Sequence, residues 1–244
     1  MFYKYLTLSI LILNFIACSG PSEPETISEL EDAIENRLAE LEGTFGVAFK
    51  DLNNPEQTIL INASERFHAA STMKTPVIVE LYKRAQNGDF SVNDSIIVKN
   101  TFKSIVDGSE FSMQVSEDSE QDLYNNLNAK TSLYELAYQM ITRSSNLATN
   151  ILIDFLGAEN VTETMRSIGA DSIEVLRGVE DIKAYEAGLS NTTTPLDLMI
   201  LFEEIENGSL LNEESKKAVL SILKDQQYNE MIPSKLPDDA VVAH

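Results

Sequence analysis

Apolar residues recur along this chain with two periods, and each change of period marks a new element. Ile27, Leu30, Ile34, Leu38 and Leu41 stand at helical spacing with acids between them, which predicts a helix over residues 27–41. Residues 44–52 and 57–62 have β character, and the turn signal Asn53-Asn54-Pro55-Glu56 between them makes a hairpin. A helical pattern resumes near Ser71 and runs to the stop signal Asn87-Gly88, with Pro76 expected to tighten or kink its first turn. Two amphipathic helices follow at 133–141 and 147–156, separated by the polar run 142–146, and the second ends at Gly157. Thr194-Pro195 supplies a cap and a first-turn proline for a helix that stops at Asn207-Gly208. Asn212 then caps a helix over 213–226. The order is one helix, a hairpin, then many helices. It fits an α/β fold of the α+β type, an antiparallel sheet flanked by helices with a mostly helical lobe, better than a doubly wound parallel sheet.

The start of the chain follows a different logic. One lysine, Lys4, precedes an apolar run over 6–16 that is too short to span a bilayer comfortably and reads as a signal-peptide core. Ala17 directly before Cys18 resembles a lipoprotein processing box. The expected organisation is a signal peptide over 1–17, a tether over 18–26 lipidated at Cys18, and one domain over 27–244. A soluble-secretion signal cleaved nearby is the plain alternative. On the first reading the protein is exported to the cell envelope and faces the periplasm, held to the membrane by its lipid anchor.

Composition narrows the chemistry. The formal net charge is −21, from 39 acids against 18 bases, and such a surface repels polyphosphates, so no nucleic-acid partner is expected. A single cysteine excludes an internal disulfide and a cysteine-rich zinc site, and two histidines, His68 and His244, are too few for a histidine metal centre. Glu117, Asp118, Glu120 and Asp122 lack the glycine-centred loop of a calcium site and read as a solvated face. No glycine-rich phosphate loop is present. No metal or organic cofactor is expected, and the protein is expected to be a monomer.

Two short motifs carry reactive groups. In Ser71-Thr72-Met73-Lys74 the hydroxyl and the amine share one helix face, the serine near the positive end of the helix dipole. Lys74 can take the serine proton if burial lowers its own pKa. Ser144-Ser145-Asn146 falls in the break between two helices, where a helix cap and simple connection is the plain reading and a proton relay with an amide-binding asparagine the functional one. His68 lies three residues before Ser71, but no aspartate is evident to orient it, so it reads as a packing or hydrogen-bonded histidine.

Taken together, residues 67–77, 140–152 and 191–198 resemble class A β-lactamases and related penicillin-interacting serine hydrolases, whose signature is S-x-x-K, S-D-N and K-T-G. The resemblance implies an acyl-enzyme on Ser71, with Lys74 as its base, Ser144 as proton relay and Asn146 binding a β-lactam or peptidoglycan-like substrate. Ser145 stands where the family usually has aspartate. The family's deacylating glutamate is matched by Glu180, one residue further from Arg177 than in the family; a loop salt bridge among Arg177, Glu180 and Asp181 is the alternative. Val241-Val242-Ala243-His244 resembles the lead-in to the K-T-G strand, where the sequence stops. Loss of an oxyanion-hole donor from that strand costs on the order of 10²–10³ in turnover. The expectation is therefore a chain truncated at its C-terminus, with the last strands missing and its activity and folding compromised. The rival expectations are a penicillin-binding or esterase-like hydrolase with slow deacylation, and a non-catalytic envelope lipoprotein of the same fold.

Overall fold

The computed structural model describes residues 24–237 and 239–244. Cys18, the signal peptide expected over 1–17 and most of the tether lie outside the described residues. The described residues divide into two compact units, 24–42 and 43–244. In the first, helix α1 (Ile27–Ala39) opens on a capping box. Thr26 Oγ1 accepts from the Glu29 N–H, and the Glu29 carboxylate accepts in return from the Thr26 N–H.

The second unit begins with the predicted hairpin, strands β1 (Val47–Lys50) and β2 (Thr58–Ile61), paired antiparallel from Val47 opposite Ile61 to Lys50 opposite Thr58. Alternation sets its faces: Ile59 and Ile61 are buried while Leu60 is exposed. Seven helices follow: α2 (Lys74–Gln86), α3 (Leu133–Thr142), α4 (Asn146–Leu156), α5 (Ala158–Ser167), α6 (Ile182–Glu186), α7 (Pro195–Asn207) and α8 (Glu213–Lys224) among the described residues. Helix α7 lies against β1, where Lys50 Nζ meets both carboxylate oxygens of Glu203 at 2.6 and 2.7 Å. The remaining strand pairs are two or three residues long: Phe67–His68 with Thr192–Thr193, Ser95–Ile97 with Lys130–Ser132, and Phe102–Lys103 with Glu110–Phe111.

Helix α2 is the axis of the core. Its residues from Lys74 to Tyr82 are all buried, and it packs against α3, α4, α5 and α8. A helix enclosed on every side can hold polar groups only if they are paired. Glu80 meets this condition through the Thr164 hydroxyl and Lys83 Nζ. Pro76 sits at the third position of α2, and the tightening expected of the first turn appears just before it, as a 3-10 turn over Ala70–Met73.

Local capping explains why the later helices begin where they were predicted. Thr194 Oγ1 accepts from the Asp197 N–H at 3.1 Å, and Asn212 Oδ1 from the Ser215 N–H at 2.9 Å. One expectation is overturned. Asp118 and Glu120 belong to no solvated face: they are 4% and 5% exposed, because their carboxylates are consumed by backbone N–H groups and by Arg143.

Leu136 in α3 has no exposed surface and lies in the main core. Leu136→Ala should lower the unfolding free energy by about 3 kcal/mol, read as a lower midpoint in urea.

Candidate active site

Two separate pieces of chain meet at one cavity and its margin. The 3-10 turn brings Ser71 to the surface, and the first turn of α2 places Lys74 beneath it. The α3–α4 connection delivers Ser144 and Asn146. Ser71 Oγ and Ser144 Oγ are 3.0 Å apart. Lys74 Nζ lies 3.3 Å from Ser71 Oγ, 2.8 Å from Ser144 Oγ, 2.7 Å from the Ser144 carbonyl and 3.0 Å from Asn146 Oδ1. Ser71, Lys74 and Ser144 line a cavity of about 290 Å³ together with Phe202, Gln226 and His244.

Lys74 is only 2% exposed. Burial draws its pKa from 10.5 down to about 8, against an opposing pull from the negative charge of Asp118. The amine is thus a base that can be free of its proton near neutral pH while touching both hydroxyls.

Backbone strain concentrates here. Ala70, Ser144 and Glu180 adopt positive φ of 46°, 55° and 62°, a region disfavoured for residues with a Cβ. Each is held by its surroundings. The Ala70 N–H donates to His68 Nδ1 at 3.0 Å, so His68 is a hydrogen-bonded histidine that supports the turn, as its sequence setting implies. Ser144 is fixed through its carbonyl by Lys74 Nζ and by the Ser119 hydroxyl, which donates at 3.0 Å.

The loop carrying Glu180 is anchored by two asparagines. Asn150 in α4 accepts from the Val179 N–H at 2.7 Å and donates to the Val179 carbonyl at 2.9 Å. Asn191 accepts from the N–H groups of Leu176 and Arg177, and its carbonyl receives the Ala69 N–H at 2.8 Å. One residue therefore ties the Glu180 loop to the approach to Ser71. The Glu180 carboxyl titrates above the ordinary range, chiefly through burial and further through Glu117 and Asp118, while hydrogen bonds from the Gln114 N–H and the Asn146 side chain oppose the shift.

The alternative of a salt bridge within this loop is not realised among the described residues. Arg177 spends its donors on the carbonyls of Leu189 and Gly178, and Asp181 accepts from the Ser104 hydroxyl and the N–H groups of Ile105 and Ala184.

Ser145 is fully buried and caps α4, its Oγ accepting from the Ala148 N–H at 3.2 Å. The next two orphan donors, the Asn146 and Leu147 N–H groups, go to Asp118 at 3.0 and 2.8 Å. The helix-cap reading of this turn holds for Ser145, while Ser144 and Asn146 turn their side chains towards Lys74. Sequence reasoning missed Asp118, Asn150 and Asn191. Only Asn150 left a local trace, one helical turn beyond Asn146 on the same helix. No group of three or more acids, histidines or cysteines among the described residues is placed to hold a metal ion.

Residues 29–244 match the family model described as the β-lactamase enzyme family, and the chain belongs to that family. It is 25% identical to β-lactamase CARB-3 of Pseudomonas aeruginosa over 237 residues, which cover 96% of this chain and 76% of that one. It is 28% identical to β-lactamase OXY-2 of Klebsiella oxytoca over 218 residues, covering 86% and 70% of the two chains. Among solved structures, PBP-A superimposes with a TM-score of 0.74 at 26% identity, covering 92% of this chain and 78% of that one. A β-lactamase from Chitinophaga pinensis gives a TM-score of 0.73 at 23% identity, covering 87% and 76%, a likeness of fold.

Gly178 leaves no room for a side chain, since a Cβ there would run into Asn150 Oδ1. Asn150 cannot withdraw without releasing Val179. Gly178→Ala should therefore destabilise the protein by about 1–3 kcal/mol and loosen the Glu180 loop, measurable as a lower melting temperature and faster amide exchange at Val179.

Proposed function

We propose that the protein is a serine hydrolase that opens β-lactam amides through an acyl-enzyme on Ser71. The observation that carries this reading is Lys74 Nζ standing within hydrogen-bond reach of both Ser71 Oγ and Ser144 Oγ. The neutral amine takes the Ser71 proton as Oγ attacks the lactam carbonyl carbon. The carbon–nitrogen bond then breaks, and the proton passes from Lys74 through the Ser144 hydroxyl to the departing nitrogen. Asn146 holds the substrate's amide side chain. In the second half, Glu180 as carboxylate takes a proton from a water that attacks the ester carbonyl, and Ser71 leaves with its proton restored. Its raised pKa makes Glu180 the stronger base for that step. Membership of the β-lactamase family supports the substrate class. So does a solved structure of a PBP-A mutant, 25% identical to this chain, which is an acyl-enzyme complex with penicillin G. The same reading includes export and lipidation at Cys18, supported by the apolar run over 6–16 and by Ala17 before the cysteine.

A chromogenic β-lactam, followed by absorbance and by intact mass together, tests the proposal. The native chain is expected to turn the substrate over, and Ser71→Ala to abolish both turnover and the mass adduct. Glu180→Gln should still acylate but hold the adduct, with turnover reduced on the order of 10²–10⁴-fold. A stable adduct on the native chain, without turnover, would remove Glu180 from its role and leave a penicillin-binding protein. Absence of both turnover and adduct on the folded protein would reject the hydrolase reading.

A further inference from the structure

Residues 118–120 have no part in the steps above, yet every one of them is bonded to the turn that carries Ser144. Asp118 accepts from the N–H groups of Asn146 and Leu147, Ser119 Oγ donates to the carbonyls of Arg143 and Ser144, and Glu120 pairs with Arg143. Asp118 is buried, and its second oxygen also accepts from the Tyr124 hydroxyl at 2.9 Å. Ser144 holds a left-handed backbone that a serine does not favour, so something outside the turn must impose it. Position 145, where a carboxylate would sit within the turn itself, holds a serine whose single oxygen satisfies only the Ala148 N–H.

We propose that Asp118, with its neighbours Ser119 and Glu120, is the positioning device for Ser144 and Asn146, supplying from a distant loop the carboxylate that position 145 lacks. The consequence is electrostatic as well as geometric. Lys74 faces Ser71 on its own helix, Ser144 and Asn146 at the start of α4, Asp118 behind them, and His244 across the cavity. Glu180 and Glu117 add negative charge near Asp118, and the Glu120–Arg143 pair lies beside it. Of these acids, Asp118 acts directly on Lys74 and favours its ammonium form. It therefore both sets the relay geometry and steadies the charge that Lys74 carries after taking the Ser71 proton.

Two variants separate the roles. Asp118→Asn keeps the shape and removes the charge; Ser119→Ala, at an exposed position, removes the hydroxyl whose one proton is shared between the Arg143 and Ser144 carbonyls and keeps the charge. With lysine labelled by carbon-13 at Cε, the Lys74 resonance, identified by its loss in Lys74→Ala, is titrated in each protein. Asp118→Asn should move its midpoint to lower pH, and Ser119→Ala should leave it in place. Acylation by the β-lactam, which rests on the proposed function, should slow on the order of 10²-fold in Asp118→Asn, and more modestly in Ser119→Ala without a change in melting temperature. Restoring the carboxylate as Ser145→Asp in the Asp118→Asn background should return the midpoint towards the native one. A midpoint that Asp118→Asn leaves unmoved, or native acylation by Ser119→Ala, overturns the proposal. If no β-lactam acylates the native protein, the hydrolase reading fails, and the titration still decides this one.

Discussion

An ammonium group surrenders several kcal/mol of hydration when it is buried, and a fold that buries one must gain something or avoid the charge. Lys74 is buried at the start of the central helix, in a protein otherwise crowded with acids, and its pKa falls from 10.5 to about 8. The shift corresponds to about 3 kcal/mol held against the charged form at neutral pH. Because the unfolded chain keeps that proton up to about 10.5, the penalty is full below pH 8 and fades as pH rises from there to 10.5. The amine is satisfied by four neighbours, three of them from the α3–α4 turn. The rest of the site follows from that placement. The turn must present Ser144 inward, and α2 must be enclosed deeply enough for burial to act on Lys74.

Enclosure and strain are two sides of one design. Ala70, Ser144 and Glu180 come from three distant parts of the sequence, and each takes a backbone shape that costs on the order of 1–3 kcal/mol. His68, residues 118–120 and Asn150 hold them there, each by bonds to backbone groups on or beside the strained residue. Asn191 joins the first and third of these regions through its own backbone and side chain. The reactive groups are thus fixed by polar side chains braced on a helical core, and substitutions in these braces act on geometry before they act on stability.

What could be read from the sequence was what is decided locally. Caps at Thr194 and Asn212 bond within three residues, so those helix starts were visible, and the first helix showed in its apolar spacing. The hairpin was visible too, because turn residues and alternation are adjacent in the chain. Ser71 and Lys74 stand three residues apart, a spacing common by chance, and it was their order together with Ser144 and Asn146 that singled them out. Helix α5 stayed hidden because its buried face is built from Thr162 and Thr164 as well as Val161 and Met165, which blunts any apolar periodicity. Asp118 stayed hidden for a different reason: as one acid among several it resembles a solvated run, and only its contact with a turn nearly thirty residues later shows it buried. The position of Glu180 beside Asn146 likewise depends on Asn150 and Asn191, which no spacing rule predicts.

The central claim is that Lys74, free of its proton, activates Ser71. The acylation rate measured against pH, with the acyl-enzyme trapped in Glu180→Gln, tests it most directly. The account predicts a rate that climbs with pH through a midpoint near 8, where Lys74 loses its proton, and then levels off. A rate that is flat across this range, or that falls as Lys74 deprotonates, would contradict it.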